Sequence, residues 1–182
     1  MTGNGRVIAV FGGSRVTSGS PEYDEAYQTG RLLALAGFTL MNGGYGGTME
    51  ASARGARENG GRTLGVISNE FRGLTPNAYL DDTVPSEDLF MRIREMNARA
   101  DGFVVLKGSL GTLAELAIVW NMAKLNSRPA RPIVLLGEDW KPVLQAWRDH
   151  LAVTDEELSF LHVVAAPADA IAYLQHSLRP IT

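Results

Sequence analysis

The feature that most constrains the fold is an alternation of short apolar runs with longer amphipathic stretches. Five runs predict buried strands, at residues 7–11, 38–41, 63–67, 103–106 and 133–136, and a sixth at 162–164 is weaker. Helices are predicted at 21–36, 48–59, 86–100, 112–125, 141–151 and 168–178. Apolar strands that are each followed by a helix are typical of parallel sheets covered on both faces. We therefore predict an α/β fold, a Rossmann-like three-layer α/β/α sandwich with a mainly parallel sheet.

Length and composition limit the classes of protein to which the chain can belong. Its 182 residues predict a single domain over 1–182. The 17 Lys and Arg against 20 Asp and Glu are scattered, which argues against nucleic acid or a membrane as a partner. The absence of cysteine excludes disulfides and thiolate catalysis, and no residue spacing typical of metal ligands is found. We expect a cytoplasmic protein without a metal site.

Glycine-rich turns follow three of the predicted strands, at 12–15, 42–50 and 107–115. The carboxyl ends of parallel strands meet at one edge of a sheet, where ligands bind near helix N-termini. Backbone N–H groups at such helix starts favour a phosphate, and glycine lets a ligand approach closely. Any one tight turn favours glycine for steric reasons alone, but three turns at one edge indicate a phosphate-binding site. Residues 69–85, the one long irregular stretch, are predicted to be a functional loop or mobile lid.

Familiar catalytic and nucleotide motifs do not match these turns. The dinucleotide pattern G-x-G-x-x-G fails at Met49, and Asn42 stands where the ribose-binding carboxylate is needed. No Gly precedes a Lys, so the P-loop is absent. The pattern G-x-S-x-G is nearly matched at 107–111, with Lys107 in the first glycine position. A serine hydrolase that uses Ser109 or Ser14 remains an alternative, although all three histidines lie in the last third of the chain.

Two charged residues near the third turn have both a structural and a functional interpretation. Thr112 and Glu115 form the T-x-x-E pattern of a capping box, but Glu115 also places a carboxylate in the expected cleft. Arg92 lies beside the apolar face of the preceding helix, where it is spaced to pair with Glu95 on the surface. That apolar face is predicted to comprise Leu89, Phe90, Ile93, Met96 and Ala100.

The segment 92–115, RIREMNARADGFVVLKGSLGTLAE, resembles the signature of the LOG (LONELY GUY) family. That family has an Arg-Lys helix motif, a hydrophobic strand and then P-G-G-x-G-T-x-x-E. Trp120 and the segment 131–136 are similar to the following family features. The segments 10–14 and 42–49 resemble the family's first turn and its G-G-G-x-x-G-x-M motif. The likeness spans most of the chain in the expected order.

The resemblance implies a homodimer that binds an AMP-like purine nucleoside 5′-monophosphate and hydrolyses its N-glycosidic bond. The products would be a free base, in some members a cytokinin, and ribose 5-phosphate, without any cofactor. By position, Arg92 and Glu115 match the family's catalytic residues. The positions that match its nucleotide- and phosphate-binding loops are Gly12, Gly13, Ser14, Gly43, Gly44, Gly46, Gly47, Met49, Lys107, Gly108, Ser109, Leu110, Gly111 and Thr112.

The chain departs from the family pattern at several of these positions. Lys107 replaces the proline and Ser109 the second glycine of the third turn, and Ile93 replaces the lysine beside the arginine. Asn42 and Glu50 replace glycines of the second turn. Ser109 offers a hydroxyl and Lys107 a positive charge to a phosphate. Two hypotheses follow: a phosphoribohydrolase, or a nucleotide-binding or nucleotide-sensing protein with little catalysis.

Overall fold

The computed structural model describes residues 5–71, 73–125 and 131–178. Within these ranges one parallel sheet has the strand order β4-β3-β2-β1-β5-β6-β7. Its strands are β1 (Val7–Phe11), β2 (Thr39–Asn42), β3 (Thr63–Ser68), β4 (Asp82–Ser86), β5 (Gly102–Val105), β6 (Ile133–Leu136) and β7 (Leu161–Val164). The predicted parallel α/β fold is confirmed.

Helices cover both faces of this sheet. They are α1 (Pro21–Leu35), α2 (Thr48–Glu58), α3 (Leu89–Arg99), α4 (Leu110–Leu125), α5 (Trp140–His150), α6 (Asp155–Leu158) and α7 (Pro167–Ser177). One core packs α1, α2 and α7 against residues such as Ile8 and Val10, and the other packs α3, α4 and α5 against Ala9 and Phe11. Neighbouring residues of β1 therefore enter opposite cores, as the period of a strand requires. None of the described helices has the length and apolar character needed to span a membrane.

Local signals set the bounds of α1. The Ser20 hydroxyl accepts a hydrogen bond from the Tyr23 N–H over 3.2 Å, and Pro21 occupies the first helical position. After the helix, Gly37 has a φ of 80° and donates its N–H to the Ala34 carbonyl. Glycine reaches this left-handed backbone conformation without strain, so the helix ends where the sequence predicts.

The sequence-based prediction was wrong for the end of the segment 69–85. Residues Asp82–Ser86 form β4, which pairs with β3 at the edge of the sheet. This edge strand is largely exposed, so it lacks the apolar run that marks the buried strands. Pro85 is tolerated because an edge strand leaves one row of backbone groups unpaired. As a result, α3 begins at Leu89 rather than at residue 86, with Asp88 as its N-cap.

The position of β1 determines where a cleft opens. Strand β1 pairs with β2 on one side and β5 on the other. The connection after β1 leads to β2 and the connection after β5 leads to β6, so the two run in opposite directions across the sheet. Loops that diverge in this way leave a crevice beyond the carboxyl ends of the two strands. The turns after β1, β2 and β5 all border this crevice.

Candidate functional site

A cleft of about 190 Å³ lies at this crevice, and we call it the ion-pair cleft. Its walls come from the turns after β1, β2 and β5, from α3 and α4, and from the loop after β3. The residues that line it are Val10, Phe11, Gly12, Ser14, Gly43, Tyr45, Met49, Phe71, Leu74, Arg92, Ser109, Gly111, Thr112 and Glu115.

Arg92 and Glu115 form a buried ion pair in this cleft. Arg92 Nη1 donates to Glu115 Oε1 over 3.0 Å, and the two side chains are 6% and 9% exposed. Arg92 Nε also donates to the Val66 carbonyl over 2.8 Å, which fixes the guanidinium against the backbone of β3. The predicted surface pairing of Arg92 with Glu95 was wrong, because Glu95 accepts a hydrogen bond from Arg99 instead.

The capping interpretation of Glu115 was also wrong. Helix α4 begins at Leu110, two residues before Thr112, so Thr112 lies inside the helix and not at its cap. Glu115 therefore lies a full turn into α4, where its side chain contacts Arg92. Burial raises the pKa of the Glu115 carboxyl, and the charge of Arg92 opposes that rise. An ionised carboxylate held here by a single arginine can stabilise positive charge or accept a proton from water.

Gly43 makes room for the arginine. A Cβ atom at this position would overlap Arg92 Nη2 and would stand 2.6 Å from Met49 Sδ. On its other side the guanidinium lies over the Phe71 ring, 5.6 Å from the ring centre. Cation–π contact and close packing thus restrict the arginine to one orientation. Gly43 is needed here for space and not for an unusual backbone conformation.

Other glycines of the predicted turns hold the loops together beneath the cleft. Gly47 has a φ of 71°, and a Cβ there would overlap the Gly13 carbonyl. That carbonyl accepts hydrogen bonds from both the N–H of Thr48, over 3.0 Å, and its hydroxyl, over 3.2 Å. A Cβ at Gly12 would overlap the same hydroxyl. The turns after β1 and β2 therefore pack directly against each other.

Asn42 supports the second turn from inside the protein. Its Nδ2 donates to the Met49 carbonyl over 2.7 Å, and its Oδ1 accepts from the Gly44 N–H over 2.8 Å. Glu50, the other residue of the second turn that departs from the family pattern, accepts a hydrogen bond from the Tyr23 hydroxyl and does not line the cleft. Neither departure from the family pattern places a carboxylate in the cleft.

The structure brings part of the predicted site together. The predicted residues that line the cleft are Gly12, Ser14, Gly43, Met49, Arg92, Ser109, Gly111, Thr112 and Glu115. Those that lie outside its lining are Gly13, Gly44, Gly46, Gly47, Lys107, Gly108 and Leu110. Lys107 Nζ instead pairs with Asp139 Oδ2 over 3.2 Å, and the Leu110 side chain faces solvent.

Sequence reasoning missed the apolar wall of the cleft. Tyr45 and Phe71 meet edge to face with ring centres 5.5 Å apart, and Leu74 lies beside them. The Tyr45 hydroxyl is fixed at the end of β3, since it donates to the Ser68 carbonyl and accepts from the Ser68 N–H. The signal was the presence of Phe71 and Leu74 among the polar residues at the start of the loop. Across the described ranges, no group of three His, Asp or Glu side chains is placed to hold a metal ion.

The chain is similar to a group of enzymes and to several solved structures. The SLOG cluster4 family matches residues 5–157. A Mycobacterium marinum protein named cytokinin riboside 5′-monophosphate phosphoribohydrolase is 35% identical over 130 residues, 69% of this chain and 68% of that protein. A Mycobacterium tuberculosis protein of the same name is 34% identical over 134 residues, 71% of this chain and 70% of that protein.

The solved structures share the fold over nearly the whole chain. The X-ray structure of the protein TM1055 has a TM-score of 0.76 and 26% identity, covering 94% of this chain and 99% of that one. The Moco carrier protein of Chlamydomonas has a TM-score of 0.69 and 26% identity, covering 97% of this chain and 99% of that one. The match over residues 5–157 and the identity to the mycobacterial proteins place the chain in a known family. It belongs to the SLOG cluster4 family and, by its identity to these enzymes, to the LOG family.

Proposed function

We propose that the protein hydrolyses the N-glycosidic bond of a purine nucleoside 5′-monophosphate, releasing the free base and ribose 5-phosphate. The observation that carries this proposal is the buried contact between Arg92 and Glu115 at the bottom of the cleft. A buried ion pair contributes little net stability because desolvation offsets its Coulomb attraction. A role in binding or catalysis accounts for the pair better than a role in folding.

The proposed chemistry needs a carboxylate beside the sugar. Cleavage of the bond between C1′ and the base nitrogen develops oxocarbenium-like positive charge on the ribose. Glu115 would stabilise that charge and accept a proton from the water that attacks C1′, while the base leaves with the bonding electrons and takes up a proton from solvent. Arg92 would hold the carboxylate in place through the 3.0 Å contact, leaving its other oxygen for the water or the sugar.

The rest of the cleft suits the remaining parts of a nucleotide. Ser14, in the turn after β1, and Ser109 and Thr112, around the start of α4, bring hydroxyl groups to the end of the cleft where a 5′-phosphate would bind. Tyr45, Phe71 and Leu74 form an apolar wall that suits a purine ring. A phosphate bound at one end fixes the sugar beside Glu115 and supplies binding energy remote from the reacting bond.

A second candidate is nucleotide binding with little catalysis. It is favoured by Lys107, which replaces the family's proline and pairs with Asp139 outside the cleft. The similarity to the Moco carrier protein, whose name describes carriage and not catalysis, agrees with this alternative. The two candidates share the same cleft and differ in whether Glu115 acts on a bound sugar.

The test is direct detection of products. Purified protein is incubated with AMP or N6-isopentenyl-AMP, and free base and ribose 5-phosphate are measured by chromatography. Glu115→Gln keeps the size of the side chain but removes its negative charge. Glu95→Gln, which changes a partly exposed glutamate on α3 outside the cleft, is the matched control.

We expect product from the wild type and from Glu95→Gln, and a loss of about 10²- to 10⁴-fold in kcat/KM for Glu115→Gln. Saturable nucleotide binding without product would favour the binding protein. Equal turnover by Glu115→Gln and the wild type would contradict the role assigned to the carboxylate.

A further inference from the structure

A second cavity, of about 380 Å³, adjoins the ion-pair cleft at the same edge of the sheet. We call it the hydroxyl cavity, since four of its ten lining residues carry a hydroxyl group. Ser14 and Ser109 line both spaces, so the two are neighbours across these residues. The lining of the hydroxyl cavity is Gly13, Ser14, Arg15, Val16, Thr17, Ser20, Glu22, Lys107, Gly108 and Ser109.

Its charged groups favour an anion. Arg15 is exposed and, among the residues that the structure describes, makes no hydrogen bond or ion pair. Lys107 provides a second positive charge, held beside the cavity by its contact with Asp139. Glu22 is the carboxylate in the lining. An arginine fork with hydroxyl donors around it binds phosphate oxygens well, because several charge-assisted hydrogen bonds form at once.

A third cavity along this edge limits how far a bound anion can extend. Beyond Glu22, Lys107 and Gly108 lies a cavity of about 580 Å³ whose lining adds Glu25, Glu138 and Asp139. Burial raises the pKa of Glu25, and the nearby charges of Glu22 and Asp139 raise it further. A region that already disfavours one more negative charge would repel a phosphate. The anion-binding stretch therefore begins at Ser14 and ends at Glu22.

We propose that the hydroxyl cavity is a subsite for the β-phosphate of a nucleoside 5′-diphosphate, with Arg15 as its main ligand. This subsite rests on the proposed function, because it requires the sugar and the α-phosphate to occupy the ion-pair cleft. The cavity has room for a second phosphate next to Ser14 and Ser109, where the first one binds. The carboxylates beyond Glu22 exclude a third phosphate.

The experiment measures affinities and so does not depend on turnover. AMP, ADP and ATP are titrated into the Glu115→Gln protein by calorimetry, so that no substrate is consumed. The same titrations are repeated after adding Arg15→Gln or, as the matched control, Arg62→Gln. Arg62 is an exposed arginine at the start of β3 that pairs with Asp82. Wild-type protein is assayed for release of adenine from AMP in parallel.

We expect ADP to bind about tenfold more tightly than AMP, and ATP no more tightly than ADP. Arg15→Gln should bring the ratio of ADP to AMP affinity close to one, while Arg62→Gln should leave the ratio unchanged. Equal affinities for AMP and ADP in the starting protein, or a ratio that Arg15→Gln does not alter, would overturn the subsite. Tighter binding of ATP than of ADP would overturn its limit at Glu22.

The parallel assay separates failure of the subsite from failure of the proposed function. Adenine release from AMP with no preference for ADP would overturn the subsite and leave the hydrolase in place. A preference for ADP that depends on Arg15, without any adenine release, would support the subsite in a protein that binds nucleotides without hydrolysing them. Absence of binding by all three nucleotides would overturn both.

Discussion

Two of the ion pairs at the carboxyl edge of the sheet, Arg92–Glu115 and Lys107–Asp139, differ mainly in burial. Arg92 and Glu115 are joined over 3.0 Å with side chains 6% and 9% exposed. Lys107 and Asp139 are joined over 3.2 Å with side chains 66% and 82% exposed. Water screens the second pair, so its contribution to stability is close to zero. The first pair cannot be separated without leaving a charge in an apolar site, so its geometry is fixed.

The largest expected effect comes from removing one partner of the buried pair. Arg92→Met keeps much of the side-chain volume but leaves Glu115 buried without its counter-charge. We expect the free energy of unfolding at neutral pH to fall by about 3–5 kcal/mol. Urea denaturation followed by circular dichroism measures this change. Lys107→Met, which breaks the exposed pair, should change it by less than about 1 kcal/mol.

A double variant sharpens the same comparison. Arg92→Met combined with Glu115→Gln removes both charges, so no uncompensated ion remains in the cleft. We expect this protein to recover much of the stability that Arg92→Met loses, since the cost comes from the buried charge and not from lost attraction. If Arg92→Met and Lys107→Met have equal effects, burial does not distinguish the two pairs.

Two glycines of the second turn allow a similar comparison between a crowded position and an open one. Gly43→Ala would place a methyl group where Arg92 Nη2 lies, whereas a Cβ at Gly46 meets no atom within 4 Å. Displacing the guanidinium disturbs its contacts with Glu115 and Val66, so we expect Gly43→Ala to lower the free energy of unfolding by about 1–3 kcal/mol.

The matched variant, Gly46→Ala, should change that free energy by less than about 0.5 kcal/mol. Thermal denaturation of the two proteins side by side measures the difference. Equal stabilities would mean that Arg92 moves aside at little cost, and that its position is not fixed by Gly43.

The contrast between local and long-range information explains what could be predicted from the sequence. Strands such as β1 and the glycine turns were predictable because apolar runs and turn residues act over a few neighbours. Strand β4 was not, since an edge strand needs no apolar run. Arg92 and Glu115 each have a plausible local partner, Glu95 and Thr112, and only the packing of α3 beside α4 shows that they contact each other.

The fall of kcat/KM at low pH offers a third test of burial. The pKa of Glu115 is raised by its burial, whereas the pKa of the partly exposed Glu157 is lowered to about 2 by hydrogen bonds from Lys124 and Thr154. Because the proposed mechanism uses the ionised form of Glu115, kcat/KM should fall on acidification at a pH above the ordinary glutamate value. A pH profile of base release measures this, and Glu115→Gln should not show this fall.

The same raised pKa affects stability in the opposite direction. Below the ordinary glutamate pKa, Glu115 is protonated in both the folded and the unfolded chain, and its burial costs least. As the pH rises, the unfolded chain releases its proton first, so the contribution of Glu115 to stability declines until the folded-state pKa is passed. Urea titrations of the wild type and Glu115→Gln across this range should converge at low pH. A difference that grows on acidification would contradict the raised pKa.

The smallest expected effect concerns two phenylalanines near the N-terminal end of α3. Phe71 lies on the cleft wall, under the Arg92 guanidinium and against Tyr45, whereas Phe90 is 78% exposed, contrary to its predicted place on the buried face of the helix. If Phe71 contacts the base, Phe71→Ala should raise KM about threefold to tenfold, the range expected for one aromatic contact. Phe90→Ala removes the same ring from the surface and should leave KM unchanged.

Steady-state kinetics with AMP separate two roles for Phe71. If the ring only supports Arg92, its removal would lower kcat and leave KM unchanged. Equal KM values for the two variants would remove Phe71 from the base-binding wall and leave the buried ion pair as the feature that distinguishes this cleft.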